Sequence, residues 1–393
     1  MTQTAHRYIF TSESVTEGHP DKLCDQISDA VVDHFVSLEP YSTVRCECAV
    51  SGAIIFIAAH FASSITVDFT HLARKVVKEI GYDQPDFNPK SCSILTSPRA
   101  EAVDPATHFD EYTLTDVQIE AIPAKNQVTV FGYAVNESPV LMPLPIYMAN
   151  KLTRRLTHAR KQKILPYLMP DAKVQVGVQY ERWTPKRIHS LTLEVQTRTM
   201  GKPDADTLKA DLMEAVVTPV FENLPVTPDG ETVVHINPNG PYLGGPLYHS
   251  GLTGRKCAVD TYGEYARHSG KALSGKDPLR VDRIGVYAAR YVAKNVVAAG
   301  LASACEIMVS YATGASQPVS ILVNTFGTGT QPDGELAERL RSRFDFRPAG
   351  ILKRFGLRQL PGKQAGGFFQ KLSANGHVGR DDMDLPWEQT DMF

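Results

Sequence analysis

The chain has 393 residues, enough for two or three domains around a large core, with 42% apolar and 21% charged residues. A net charge of −2 gives no global field for nucleic acid or an anionic membrane, so basic residues must act locally. No apolar run has transmembrane length, Met1–Phe10 carries no signal-peptide pattern, and the six cysteines have no CxxC or zinc-type spacing. Reduced thiols in a cytoplasmic protein are expected.

Taken in order, the chain repeats itself in thirds. The first third predicts a strand over Tyr8–Ser12 and a helix from Asp21, with Leu23, Ile27, Ala30, Val31 and Phe35 on one face. Strands Thr43–Val50 and Ala53–Phe61, a helix Val67–Ile80 and a strand Ser91–Leu95 follow. The middle third predicts strand Val128–Tyr133, helix Pro145–Leu156, hairpin Lys173–Tyr180 with Ile188–Thr197, helix Thr207–Phe221 and strand Thr232–Ile236. The last third predicts strand Lys256–Thr261, helix Arg283–Ala299, hairpin Cys305–Tyr311 with Val319–Phe326, and helix Glu335–Phe344. Each unit reads β-α-β-β-α-β. The expected fold is therefore α+β, three similar domains (1–110, 111–240 and 241–393) around a pseudo-threefold axis. Ser97–Ala124 fits no period, and a loop of that length suggests a lid. Gly362–Gly379 is rich in Gly and Gln and reads as irregular.

The chemistry concentrates in Gly244–Asp282, GGPLYHSGLTGRKCAVDTYGEYARHSGKALSGKDPLRVD. Its glycines let backbone N–H groups approach an anion. Arg255, Lys256, Arg267, Lys271, Lys276 and Arg280 can neutralise that anion, and Asp277 and Asp282 beside them suggest Mg²⁺. Gly270–Lys276 fits GxxxxGK, but Asp277 stands where a phosphate loop needs Ser or Thr for its metal. A polyphosphate pocket of another kind is the better reading. Glu17-Gly-His19-Pro20-Asp21-Lys22 opens the first helix, where free N–H groups favour anions; ordinary capping would use the same residues. Glu47 sits mid-strand between Cys46 and Cys48, as a solvent-facing acid commonly does. Pro170-Asp171-Ala172-Lys173 opens the middle hairpin, and Tyr242 offers a ring in the Gly-rich loop Gly240–Gly245.

Together HPDK, the DAK turn, GLTGRK, VDTYG, SGKDPxxVDR and Val286–Asn295 resemble the S-adenosylmethionine synthetase (methionine adenosyltransferase) family over nearly the whole chain. The resemblance implies a tight homodimer, possibly a tetramer, with sites between subunits. It also implies ATP, Mg²⁺ and K⁺, and attack of a thioether sulfur, as in methionine, on ATP C5′. The triphosphate leaves and is hydrolysed to pyrophosphate and phosphate. A thioether has no proton to lose, so catalysis is positioning and charge stabilisation. By resemblance, His19 lies at the C5′–triphosphate end, and Asp21 and Asp282 hold Mg²⁺. Lys22, Lys173, Arg255, Lys256 and Lys276 hold phosphate, Asp171, Tyr242 and Ala272 contact the nucleotide, and Glu47 binds K⁺.

Departures from the family pattern cluster at positions that touch methionine. The family's Asp in GAGDQG is Asn126, its Glu in GGE is His60, its Asp before GLTGRK is His249, and its Lys in SGKDPxK is Arg280. Its HGGGAF reads His268–Leu273, and its Gln-bearing segment has no clear match in Arg99–His108. Acids suited to an ammonium are gone, while a cation suited to a carboxylate remains. This balance favours an acceptor with a carboxylate and no α-ammonium, set against continued use of methionine. A triphosphate-cleaving paralogue and a non-catalytic regulatory subunit are the other classes; the retained Lys, Arg and Asp set argues against the second.

Overall fold

The computed structural model describes residues 7–222, 224–363 and 366–393; residues 1–6, and with them most of the Met1–Phe10 reading, lie outside. Three sheets form. The first has the order β1 (Arg7–Val15), β6 (Leu168–Glu181), β7 (Thr184–Thr197), β8 (Val233–Ile236). The second runs β4 (Ser93–Ala100), β3 (Ile54–Ala62), β2 (Thr43–Ser51), β9 (Gly251–Leu252). The third runs β11 (Ser320–Asn324), β10 (Ala304–Tyr311), β5 (Val128–Val135).

The fold is α+β, and the order of elements along the chain is close to the predicted one. The pairing is not local, however. Each sheet holds the hairpin of one third and a strand from another: β1 joins the middle hairpin, β5 the last, and β9 the first. Each third thus lends a strand to a neighbour, in a cycle. Side-chain period specifies a strand and its buried face, but not which strand completes the ladder. Two strands pair in parallel, β4 on β3 and β8 on β7, and helical segments (Phe69–Ile80; Ala205–Phe221) make the required crossovers.

Three long helices, Pro20–Leu38, Leu144–Lys161 and Val281–Ala298, cover the inner faces of the sheets. In Val281–Ala298 every residue but the last is buried, polar ones included. Such a helix lies inside the molecule rather than on its surface. Among the described residues, no helix is long and apolar enough to cross a membrane.

Three local expectations are corrected. Lys256–Thr261 is not a strand: Cys257–Asp260 forms one helical turn, closed by Thr261 Oγ1 donating to the Cys257 carbonyl at 2.8 Å. That turn carries Asp260 into the core, where a strand would need a ladder partner. The Gly362–Gly379 stretch contains the helix Phe369–Asn375, seated on Pro20–Leu38 with Phe368, Phe369 and Leu372 buried; residues 364–365 lie outside the description. Ser97–Ala124 is partly structured, because β4 runs on to Ala100 and a helix Asp116–Glu120 follows, closed by a Thr115–Gln118 capping box.

Candidate active site

The Pro20–Leu38 helix organises the site through acids spaced four residues apart, Asp21, Asp25, Asp29 and Asp33. All four are buried, so each needs donors. Asp21 Oδ1 accepts from Leu252 N at 3.0 Å, Asp25 from Gly254 N at 2.8 Å, and Asp29 from Gly275 N at 2.8 Å. Asp33 accepts from Phe369 N and Gln370 N at 3.0 and 2.9 Å. The i,i+4 row thus pins the backbone beside each cationic cluster, Gly254 before Arg255-Lys256 and Gly275 before Lys276. Gly254 has φ +82°, and a Cβ there would lie 2.4 Å from Ala272 Cβ, so glycine lets these two loops touch.

One cluster forms at the helix mouth. His19 is the N-cap, its Nδ1 accepting from Asp21 N at 3.1 Å. Burial, then Lys256, Lys173 and Lys22, push its imidazole down to about 2, so it is neutral at physiological pH. Arg255 Nε and Lys256 Nζ each stand 3.8 Å from Asp21, with Arg255 exposed. Lys173 follows Asp171 on β6 and lies 5.2 Å above the Tyr242 ring. Asp171 is buried, and its Oδ2 accepts from Gly245 N at 2.7 Å and the Tyr242 hydroxyl at 3.3 Å. Burial lifts its carboxyl to about 6, and Oδ1 has no hydrogen-bond partner among the described residues. His249 stacks on Tyr242 at 6.1 Å and contacts the Leu243 carbonyl at 3.0 Å. This cluster joins a cationic rim, a helix N-terminus and an aromatic wall with an unfilled acceptor atom, a set that suits a nucleotide polyphosphate.

The second cluster surrounds the start of Val281–Ala298. Asp282 is buried there, with Lys276 Nζ at 3.6 Å. Asn126 Nδ2 reaches both Asp282 oxygens, at 3.0 and 2.9 Å. Lys276 also donates to the Ala272 carbonyl. Arg280 lines a cavity of about 310 Å³ together with Arg45, Glu101, Asp104 and Lys125. His60 Nδ1 lies 3.2 Å from Glu101 Oε1. A larger cavity of about 650 Å³, beside Asp116, Arg341 and Arg347, holds none of the expected site residues.

The predicted set is therefore divided. His19, Asp21, Asp171, Lys173, Tyr242, His249, Arg255 and Lys256 gather in the first cluster; Asn126, Ala272, Lys276, Arg280, Asp282 and, through Glu101, His60 gather around the second. Two residues stand apart. Lys22 is a correction: it is fully buried and pairs with Asp25 at 3.0 Å and with Asp260, so its donors are turned into the core. Glu47 is exposed on β2 opposite Ala58. The sequence reading missed Glu101, Asp25 and Asp29. The four-residue spacing of the aspartates was visible; Glu101 sat in a stretch without period.

Among the described residues, no three or more His, Cys, Asp or Glu side chains gather to hold a metal. Mg²⁺ shared with phosphates needs only one or two carboxylates, so Asp21 and Asp282 fit that role. Glu47 alone offers one oxygen donor group, which is no cage for K⁺.

Comparison with known proteins points to one family. The N-terminal, central and C-terminal domain models of S-adenosylmethionine synthetase match residues 7–102, 121–242 and 243–389. A protein named S-adenosylmethionine synthase from Synechococcus sp. (strain JA-2-3B'a(2-13)) is 48% identical over 396 residues, covering 98% of this chain and 96% of that one. Proteins of the same name from Crocosphaera subtropica and Thermosynechococcus vestitus are each 46% identical, with 98% and 96% coverage. The chain belongs to the S-adenosylmethionine synthetase family of transferases.

Proposed function

We propose that this enzyme transfers the adenosyl group of ATP to the sulfur of a small thioether carrying a carboxylate, methionine or a relative. The observation that carries the reading is the first cluster: Arg255, Lys256 and Lys173 around the N-terminus of Pro20–Leu38, beside the Asp171–Tyr242 wall. In this reading a sulfur lone pair forms a bond to C5′ as the C5′–O bond breaks. Its electron pair passes to the leaving triphosphate, where the cations meet the growing charge. Neutral His19 holds the N-terminal geometry without adding a proton, and no general base is needed. Water then cleaves the triphosphate to pyrophosphate and phosphate.

Mg²⁺, when bound at Asp21 and Asp282, would neutralise phosphate oxygens. The exposed face of the second sheet supports a homodimer. Leu252, Ala49, Phe56 and Leu95 stand opposite one another across all four strands, and Leu252, Phe56 and Leu95 are 47%, 43% and 55% exposed. A flat apolar row of this kind favours burial against another sheet. Leu252 N also binds Asp21, so that face adjoins the first cluster.

Mass spectrometry of reactions containing ATP, Mg²⁺ and a panel of thioethers tests the reading. A sulfonium adduct with equimolar pyrophosphate and phosphate is the expected result; ADP and phosphate without adduct would refute it and favour a hydrolase.

A further inference from the structure

Tyr82 is a buried residue that stands behind the first cluster and touches both of its halves. Helix Phe69–Ile80 ends at Gly81, whose φ of +93° turns the chain inward. Arg160 crosses that end, donating to the Ile80 carbonyl at 2.7 Å and to Glu17 Oε1 at 2.6 Å. Phe87 meets the Tyr82 ring edge-on at 4.9 Å. These contacts leave the phenol little freedom. Burial, then the Asp171 and Tyr242 charges, push it above its ordinary pKa, so it stays a donor throughout the physiological range.

The hydroxyl donates to the Gly18 carbonyl, in the turn that delivers His19 and Asp21 to the helix mouth. Each carbonyl of that turn is held: Thr16 by His19 N at 3.0 Å, Glu17 by Gln26 Nε2 at 2.7 Å, Gly18 by Tyr82, and His19 by Leu23 N at 2.8 Å. Among these donors, Tyr82 alone comes from outside the turn and its own helix. Gly18 is pressed from its other side, since a Cβ there would lie 2.4 Å from the Pro170 backbone. The ring of Tyr82 reaches the second half. A Cβ on Gly245 would come within 3.2 Å of Tyr82 Cε1, and Gly245 N is the donor to Asp171 at 2.7 Å. The hydroxyl thus serves the phosphate end of the cluster, and the ring serves the nucleoside wall.

We propose that Tyr82 is a positioning residue for adenosyl transfer: its hydroxyl fixes the helix mouth that meets the triphosphate, its ring fixes the Gly245–Asp171 wall, and one side chain thereby sets the spacing of the two ends of bound ATP. This inference rests on the adenosyltransferase reading and deepens it. Tyr82 acts through Gly18 and Gly245 rather than on the substrate. In-line displacement at C5′ needs the nucleoside and the leaving triphosphate held in register, so a brace shared by both supports alignment more than binding.

Calorimetric titration with two fragments of ATP, adenosine and inorganic tripolyphosphate with Mg²⁺, reads the two halves separately. Tyr82→Phe keeps the ring and loses the hydroxyl. It should weaken tripolyphosphate by about threefold to tenfold, the worth of one hydrogen bond, and leave adenosine within about twofold. Tyr82→Leu loses both supports and should weaken both fragments. In turnover, Tyr82→Phe should lower kcat by about tenfold or more, with a smaller rise in KM for ATP. A role in stability alone would lower the Tm of both variants without separating the fragments. Unchanged tripolyphosphate affinity in Tyr82→Phe, an equal loss of both fragments in that variant, or a wild type that binds neither fragment would overturn the proposal. Fragment binding as expected with no sulfonium product would instead sink the adenosyltransferase reading and leave the role of Tyr82 standing.

Discussion

Replacing Lys22 separates two roles that the sequence could not tell apart. Lys22 Nζ contacts Asp25 and Asp260, and all three side chains are buried. Burial works against the lysine charge, but Asp260 and Asp25 outweigh it and hold its pKa above the ordinary value. For Asp25 burial wins, lifting its carboxyl to about 7 against the pull of Lys22. Lys22→Met keeps the side-chain bulk and strands two acids in the core. Breaking a buried pair in this way costs about 3–5 kcal/mol, a fall in Tm on the order of 4–6 °C for a chain of this size. The sign of the pH dependence follows from the acids. Their folded-state pKa is raised, more so without Lys22, so the folded variant prefers them protonated while the unfolded chain ionises them near 4. The gap in Tm between variant and wild type should therefore narrow from about pH 8 to about pH 6. Adding Asp260→Asn should recover part of the loss. Scanning calorimetry reads all three effects. A Lys22→Met protein with wild-type Tm and a large loss of rate would refute the structural role and return Lys22 to the phosphate site.

Lys276→Ala and Arg255→Ala should each lower kcat by about 10²–10³ with a smaller change in ATP affinity, since each removes a donor aimed at charge that grows on the leaving group; steady-state kinetics showing unchanged kcat in both would remove the pocket from the mechanism. Turnover should cease in excess EDTA and return with Mg²⁺, through Asp21 and Asp282; full turnover under chelation would end that assignment. Phe56→Asp, in the middle of the exposed row, should convert a dimer to an inactive monomer on light scattering, and an active monomeric wild type would contradict the interface. Gly254→Ala should separate the Arg255 and Ala272 loops because its Cβ meets Ala272 Cβ at 2.4 Å, and kcat/KM for ATP should fall by about tenfold or more; an unaltered value would mean the loops tolerate the shift.

Much of this protein is legible in its sequence. The element order followed from side-chain period, because alternation and helical spacing report which face of each segment is buried. The cationic, Gly-rich stretch and the HPDK helix mouth marked the polyphosphate chemistry, because charge and backbone freedom are local properties of the residues. What the sequence left undecided is non-local. Nothing in β1 says that it completes the sheet of the middle hairpin, and nothing in the Lys256–Thr261 stretch says that it must turn to bring Asp260 to Lys22. Lys22 and Lys256 look alike in a string of letters, yet one is spent on two buried acids and the other stands at the cluster rim. His60 reads as a lost acid until the β3–β4 ladder sets it beside Glu101. Whether a charge is free or already paired depends on which distant segment folds against it, and only the tertiary structure decides that.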